Sequence, residues 1–150
     1  MGTREPVTAT VTVLSVSRQT EDHLALMRVL AGGDGEYRWE VAAAASVDLA
    51  MSLLQQSRIP VVVCESELGR ENWKTLVERL PQLAQPPFLI VRSHAPDDSL
   101  WAEALNLCAY DVLAKPLVPA EVMRTLTMAW LRWERAHLDR AATAPAAAVA

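Results

Sequence analysis

The sequence has few of the residues on which common cofactor and metal sites depend. Only five of its 150 residues are glycine, and the stretch SVSRQTED at 15–22, after the first apolar run, has none. A glycine-rich loop for a nucleotide phosphate is therefore not predicted there. The three histidines, His23, His94 and His137, are scattered and lack the carboxylate or cysteine spacing of a zinc site. We expect no metal ion and no cofactor.

The sequence also lacks a strong excess of basic charge and a long apolar run. Its formal net charge is −4 and its isoelectric point is about 5.3, which gives no general attraction to nucleic acid or to anionic lipid. No basic segment followed by an apolar core opens the sequence, and no apolar run approaches the length of a membrane span. We therefore expect a cytoplasmic protein without a nucleic-acid or membrane partner.

Cysteine is scarce, with only Cys64 and Cys108, and we predict two separate packed thiols rather than a disulfide. Cys64 and Arg70 have the Cys-x5-Arg spacing of cysteine-dependent phosphatases, whose thiolate attacks phosphate while the arginine binds it. Glu65 and Glu67 would put negative charge into such a phosphate loop and raise the pKa of the thiol. A phosphate-handling enzyme is thus the alternative function, and a chance match with a buried cysteine is the preferred interpretation.

What the sequence does contain is a regular alternation of five apolar runs with five helical patterns. The runs are VTATVTVLSV, YRWEVAAAA, IPVVVC, PFLIV and DVLA. This order predicts an α/β fold, a doubly wound parallel five-stranded sheet between two layers of helices, and not a barrel, which needs about eight such units. We assign residues 1–8 to a flexible leader, 9–134 to the domain, and 135–150 to a helix end and a disordered alanine-rich tail.

Helical spacing of the apolar residues predicts which face of each helix is buried. The expected inward residues are Leu24, Met27, Leu30 and Ala31 in helix one, Val47, Ala50, Met51 and Leu54 in helix two, Trp101, Ala104, Leu105 and Cys108 in helix four, and Val122, Leu126, Ala129, Trp130 and Trp133 in helix five.

Sites in doubly wound sheets lie at the carboxyl ends of the strands, so the residues directly after each run carry the functional prediction. These segments are Ser17-Arg18, Ala44-Ala45, Glu65-Ser66-Glu67, Arg92-Ser93 and Lys115-Pro116.

At these segments the chain resembles the receiver domain of response regulators in two-component signalling. The resemblance covers about residues 9 to 134 and rests on the element order, on GRENWKTLVERL after strand three, and above all on WAEALNLCAYDVLAKPL with its Lys115-Pro116 pair. It implies the flavodoxin-like (βα)5 fold and a role in bacterial phosphorelay signal transduction.

The resemblance also implies a phosphorylation site, from which this sequence departs. Receivers hold two acids after strand one, a phosphate-accepting aspartate after strand three, a hydroxyl residue after strand four, an aromatic residue in strand five, and a lysine. The corresponding residues here are Ser17 and Arg18 for the acids, Glu65 for the aspartate, Arg92 for the hydroxyl residue, Val112 for the aromatic residue and Lys115 for the lysine. If strand four is aligned one residue later, Ser93 takes the hydroxyl position.

These departures predict a non-catalytic pseudo-receiver. Magnesium needs carboxylate oxygens, and Ser17 and Arg18 supply none. Glu65 is one methylene longer than aspartate, which displaces its oxygens from the in-line position that phosphoryl transfer requires. With Lys115 opposite, and Arg92 and Arg18 as further cations, Glu65 is expected either in a fixed ion cluster or in a weak surface ion pair; both interpretations stay open.

Such a protein acts through contacts. We predict a protein partner, either a kinase or another regulator, or a homodimer, bound through the face formed by helix four, strand five and helix five. The interface candidates are Trp101, Trp130 and Trp133. A small effector bound in the metal-free cleft, and phosphorylation at an unexpected group such as Ser66, are further alternatives.

Overall fold

The computed structural model describes residues 9–33 and 37–143. The predictions for the leader at 1–8, and for the part of the tail at 144–150, lie outside the described residues. The described chain contains seven strands and five α-helices, together with one short 3-10 helix at Leu80–Gln82. The strands are β1 (Ala9–Val16), β2 (Tyr37–Ala44), β3 (Val61–Glu65), β4 (Glu67–Leu68), β5 (Glu71–Asn72), β6 (Phe88–Ser93) and β7 (Asp111–Ala114). The helices are α1 (Thr20–Ala31), α2 (Val47–Gln56), α3 (Trp73–Arg79), α4 (Asp98–Asn106) and α5 (Pro119–Thr143).

Five of the strands form one parallel sheet in the order β2-β1-β3-β6-β7. Both faces of this sheet are covered by helices, which explains why β3 reads as an unbroken apolar run. Val61 and Val63 belong to the core layer beneath α1 and α5, whereas Val62 and Cys64 belong to the layer beneath α2, α3 and α4. The predicted doubly wound, three-layer fold is confirmed.

The sequence did not predict the small antiparallel hairpin formed by β4 and β5, which lies between β3 and α3. Its turn contains Gly69 with a φ of 77°, a left-handed conformation that costs glycine little and other residues more. Arg18 packs against Gly69, where a Cβ atom would collide with its guanidinium. The loop after β3 thus contacts the chain segment that follows β1.

The predicted buried faces of α2 and α5 are confirmed, because all nine of their named residues are buried. The prediction for α1 is wrong for Leu24 and Met27, which are 39% and 37% exposed, and for Ala31, which is also exposed, although Leu30 is buried as expected. Asp22 and His23 are buried instead. The prediction for α4 is wrong for Trp101, Leu105 and Cys108, which are exposed, Leu105 at 65%; Ala104 is the buried residue of that helix. The prediction of two packed thiols is therefore confirmed for Cys64 and wrong for Cys108.

Trp130 and Trp133 belong to the chain's own core. They are 6% and 5% exposed, and the Trp133 indole Nε1 donates a hydrogen bond to the Pro86 carbonyl oxygen at 3.1 Å. This burial argues against the predicted role of the two rings as free interface anchors. Trp101, at 37% exposed, remains accessible on α4.

No helix in the described ranges 9–33 and 37–143 combines the length and the apolar character needed to cross a membrane.

Candidate functional site

The candidate site lies where β1, β3, β6 and β7 reach the carboxyl edge of the sheet. Glu65 is the last residue of β3 and pairs in register with Arg92 of β6, so both side chains point to the α1 side of the sheet. Lys115 follows β7, and Asp22 lies in the first turn of α1. The fold therefore brings two carboxylates and two cationic groups into one cluster, which we call the charge cluster.

Arg92 is the buried centre of the charge cluster, with a side chain that is 0% exposed. Its Nε donates to Glu65 Oε2 at 3.2 Å. Its two terminal nitrogens donate to the Asp22 carbonyl oxygen at 3.3 Å, to Ser15 Oγ at 3.1 Å and to the Val16 carbonyl oxygen at 3.5 Å. A buried guanidinium is tolerated only with partners of this kind, so these contacts fix its position.

Lys115 joins the two carboxylates. Its Nζ lies 2.9 Å from Glu65 Oε1 and 3.1 Å from Asp22 Oδ1. Burial acts to lower the pKa of Lys115, but the hydrogen bonds to Glu65 and Asp22, together with their negative charges, raise it above its ordinary value. The ammonium group therefore stays charged at neutral pH.

Asp22 is a site residue that sequence reasoning missed. Its Oδ2 accepts a 2.6 Å hydrogen bond from the Ser17 hydroxyl. Burial acts to raise the pKa of Asp22, but the hydrogen bond from Ser17 and the positive charges of Lys115 and Arg92 outweigh it and hold the pKa below its ordinary value. The one signal in the sequence was its place in the first helical turn after β1, where an acid also suits the helix dipole.

His23 extends the network beneath Arg92. Its Nδ1 lies 2.8 Å from Ser15 Oγ and its Nε2 lies 3.1 Å from the Ser17 carbonyl oxygen. A carbonyl oxygen only accepts hydrogen bonds, so Nε2 of His23 carries the proton and Nδ1 is an acceptor. The Ser15 hydroxyl therefore donates its proton to Nδ1, while its oxygen accepts from Arg92. Burial and the positive charge of Arg92 lower the pKa of His23, in agreement with a neutral ring.

The two serines after β3 and in β6 lie apart from the charge cluster, on the other face of the sheet. Ser66 Oγ and Ser93 Oγ are 3.2 Å apart, and the backbone N–H of Lys115 donates to the Ser93 carbonyl oxygen at 2.8 Å. Arg92 therefore points toward α1, and Ser93 supplies the hydroxyl at this edge. Of the two residues that the alternative alignments of strand four assign to the hydroxyl position, Arg92 lies in the charge cluster and Ser93 lies on the opposite face of the sheet.

Three other predicted residues lie as follows. Ser17 is buried and binds Asp22, as described above. Arg18, expected as a cation facing Glu65, is exposed and packs against Gly69 instead. Val112 is buried in the core layer beneath α2, α3 and α4.

The Cys64 thiol does not line the site. It is fully buried, and its Sγ donates to the Glu65 carbonyl oxygen at 3.4 Å. Burial raises the pKa of the Cys64 thiol to about 12, although the positive charge of Arg92 opposes this. A thiolate nucleophile needs the reverse, a lowered pKa and access to substrate. The geometry therefore gives no support to the Cys-x5-Arg phosphatase interpretation.

Comparison with solved structures shows the receiver fold. The signal receiver domain of a putative LuxO repressor protein from Vibrio parahaemolyticus has a TM-score of 0.73 at 15% identity, over 91% of this chain and 99% of the other. The signal receiver domain of an HD domain-containing protein from Pseudomonas fluorescens has a TM-score of 0.70 at 24% identity, over 84% of this chain and 98% of the other. A CheY-like response regulator receiver domain protein from Methanospirillum hungatei has a TM-score of 0.69 at 16% identity, over 85% and 98%.

In sequence, no protein-family model and no curated protein matches the chain. At these identities the likeness establishes the fold, and the function has to be argued from the site itself.

Proposed function

We propose that this chain is a non-catalytic pseudo-receiver, a protein-protein interaction module whose phosphorylation site is replaced by the charge cluster. The observation that carries the proposal is that both Glu65 oxygens are already bound within the chain, Oε2 by Arg92 and Oε1 by Lys115. An in-line attack on a phosphoryl donor needs a carboxylate oxygen free to approach phosphorus. Each ion pair holds a Glu65 oxygen toward a cation within the chain, which opposes the reorientation that an in-line attack would need.

The side chains present do not fit the magnesium ion that receiver phosphorylation implies. Magnesium takes six oxygen ligands, of which usually one or two are carboxylates and several are waters. The cluster offers the carboxylates of Glu65 and Asp22, each already paired with Lys115. Among the residues in the described ranges, no group of three acidic, histidine or cysteine side chains is placed to hold a metal ion. An added dication would also lie beside the buried guanidinium of Arg92, which Coulomb repulsion opposes.

The working surface in this proposal is the face of α4, β7 and α5, on which α4 exposes two apolar side chains. Trp101 and Leu105 are four residues apart and therefore adjacent on the helix surface. They are 37% and 65% exposed. Tryptophan is enriched at the centres of protein interfaces, so Trp101 with Leu105 beside it is the proposed anchor for a regulator, a kinase or a second copy of the chain.

The first test concerns the chemistry. The native protein is incubated with acetyl phosphate and Mg²⁺, and its intact mass is measured, with an aspartate-containing receiver treated in parallel as the positive control. We expect the control to gain a phosphoryl group and this chain to keep its mass. An adduct on native protein would contradict the proposal, and its position would decide between Glu65 and Ser66 as acceptor.

The second test concerns the surface. The double variant Trp101→Ala and Leu105→Ala is compared with the native chain by sedimentation velocity and by binding to candidate kinases. Leu49→Ala is the matched control, because Leu49 is another exposed leucine, on α2, at 55% compared with 65% for Leu105. We expect self-association or kinase binding to weaken only in the double variant. Equal behaviour of all three proteins would exclude this face as the binding surface.

A further inference from the structure

A cleft of about 520 Å³ opens beside the charge cluster, between α1 and the segment after β7. Its volume is within the range of small-molecule sites, and it exceeds the cavities of about 360 and 270 Å³ found elsewhere in the domain. Asp22 and Lys115 of the charge cluster line this cleft. A ligand in this cleft would therefore contact the residues that hold the site together.

One wall of the cleft is apolar. It is formed by Ala25 and Val29 on α1 and by Pro116 and Leu117 after β7. Val29 and Leu117 are half-buried and pack against the core layer beneath α1 and α5, so this wall is supported from behind. Apolar surface of this kind favours a compact apolar body over a fully polar metabolite.

The other wall of the cleft is charged. Arg28, Arg92 and Lys115 line the cleft together with two carboxylates, Glu21 and Asp22. Glu65, which does not line the cleft, pairs with Arg92 and Lys115 within the charge cluster, and Arg28 pairs with Glu21, so these charges balance. A phosphate dianion would meet the two carboxylates of this wall, so a singly charged group beside Lys115 is favoured over it.

Lys115 has a donor available for such a ligand. An ammonium group has three N–H donors, and within the described part of the chain its partners are the Glu65 and Asp22 carboxylates. Lys115 lines the cleft, so its third N–H can be given to an anion there without breaking either ion pair. His94 at the rim adds a second, exposed donor.

We propose that this cleft binds a small monocarboxylic acid with a compact apolar body, the carboxylate at Lys115 and His94 and the body against Ala25, Val29 and Leu117. The inference goes beyond the proposed interaction role and does not depend on it. It assigns the chain an effector site that adjoins the charge cluster without any metal or phosphoryl group.

The test uses naphthoate as the probe and naphthalenemethanol as its uncharged analogue, each titrated into the full chain without Mg²⁺ or phosphoryl donor. Binding is followed in two-dimensional amide NMR spectra. We expect saturable shifts at α1 and after β7, with a dissociation constant at or below about 1 mM for naphthoate and binding at least about tenfold weaker for the alcohol. Absence of saturation, or equal binding of the two compounds, would overturn the proposal.

Two variants locate the binding. Ala25→Phe places a ring into the cleft and should abolish naphthoate binding, whereas Gln85→Phe places the same ring into the 360 Å³ cavity and should leave binding unchanged. Lys115→Met should weaken naphthoate binding about tenfold or more while leaving binding of the alcohol the same, because a charge-assisted hydrogen bond is lost. Binding retained in Ala25→Phe would place the ligand elsewhere and refute the assignment. Because no phosphoryl donor is present, these results are independent of whether the chain can be phosphorylated.

Discussion

Replacing Arg92 by methionine tests whether the charge cluster is a buried, fixed unit. Methionine keeps much of the volume of the arginine stem but removes the guanidinium, which is 0% exposed. The change leaves Glu65 with Lys115 as its remaining cationic partner. It also removes the donors to Ser15 Oγ and to the carbonyl oxygens of Asp22 and Val16.

The expected loss of stability follows from these contacts. Removing one partner of a buried ion pair costs about 3 to 5 kcal/mol, because the other charge is left without compensation. Glu65 keeps its 2.9 Å contact with Lys115 and is 13% exposed, so part of that penalty is avoided. We therefore expect Arg92→Met to lower the free energy of unfolding by about 3 kcal/mol.

The measurement is urea unfolding followed by tryptophan fluorescence, for which the buried Trp73 is a reporter. Arg28→Met is the matched control, since Arg28 pairs with Glu21 at 2.8 Å with both side chains about two-thirds exposed. That pair should contribute at most about 1 kcal/mol. If Arg92→Met costs no more than Arg28→Met, the charge cluster does not hold the site as described here.

Three further predictions follow from the same structure. Folding lowers the pKa of Asp22, so the charge of this carboxylate stabilises the native state above the ordinary pKa of the group. This contribution is lost as pH falls through the folded pKa. The loss of urea stability in Asp22→Asn should therefore become smaller toward acid pH. In native protein a thiol reagent should label the exposed Cys108 but not Cys64, because burial raises the pKa of the Cys64 thiol to about 12. Cys64 should react only after the chain unfolds. Labelling of both thiols at equal rates in native protein would be inconsistent with the structure. Gly69→Ala should destabilise the chain by about 1 kcal/mol or more, because the positive φ strains alanine and the added Cβ collides with Arg18. Adding Arg18→Ala should recover part of this loss in urea unfolding, and no recovery would mean that the collision is unimportant.

The fold could be predicted from the sequence because its signals are local. Apolar spacing in α2 and α5 reports which residues are buried, and Ser46 caps α2 by accepting from the backbone N–H of Leu49, as its side chain allows. The unbroken apolar run of β3 likewise required helices on both faces of the sheet. Each of these signals lies within a few residues of the element it specifies.

The composition of the charge cluster could be predicted only in part. Glu65 and Lys115 were identified because each follows a strand at the functional edge of the sheet. Asp22 was missed because a periodicity argument assigns charged residues to the solvent side of a helix. Asp22 can be buried because Lys115, 93 residues away in the sequence, balances the charge of its carboxylate. Arg92, 70 residues away, donates a hydrogen bond to its carbonyl oxygen. Local patterns do not contain partners at that separation.

The burial of Arg92 decides between the two interpretations that the sequence left open. A weak surface ion pair requires both partners to have water available as an alternative, and Arg92 has none at 0% exposure. Its guanidinium could leave Glu65 only by remaining buried with an unmet charge, which is more costly than keeping the pair. The arrangement of β3, β6 and α1 at this edge is therefore maintained by charges within the chain. Under the proposed function, a signal is then generated by binding, at the exposed face of α4 or in the cleft beside Lys115, rather than by adding charge at Glu65.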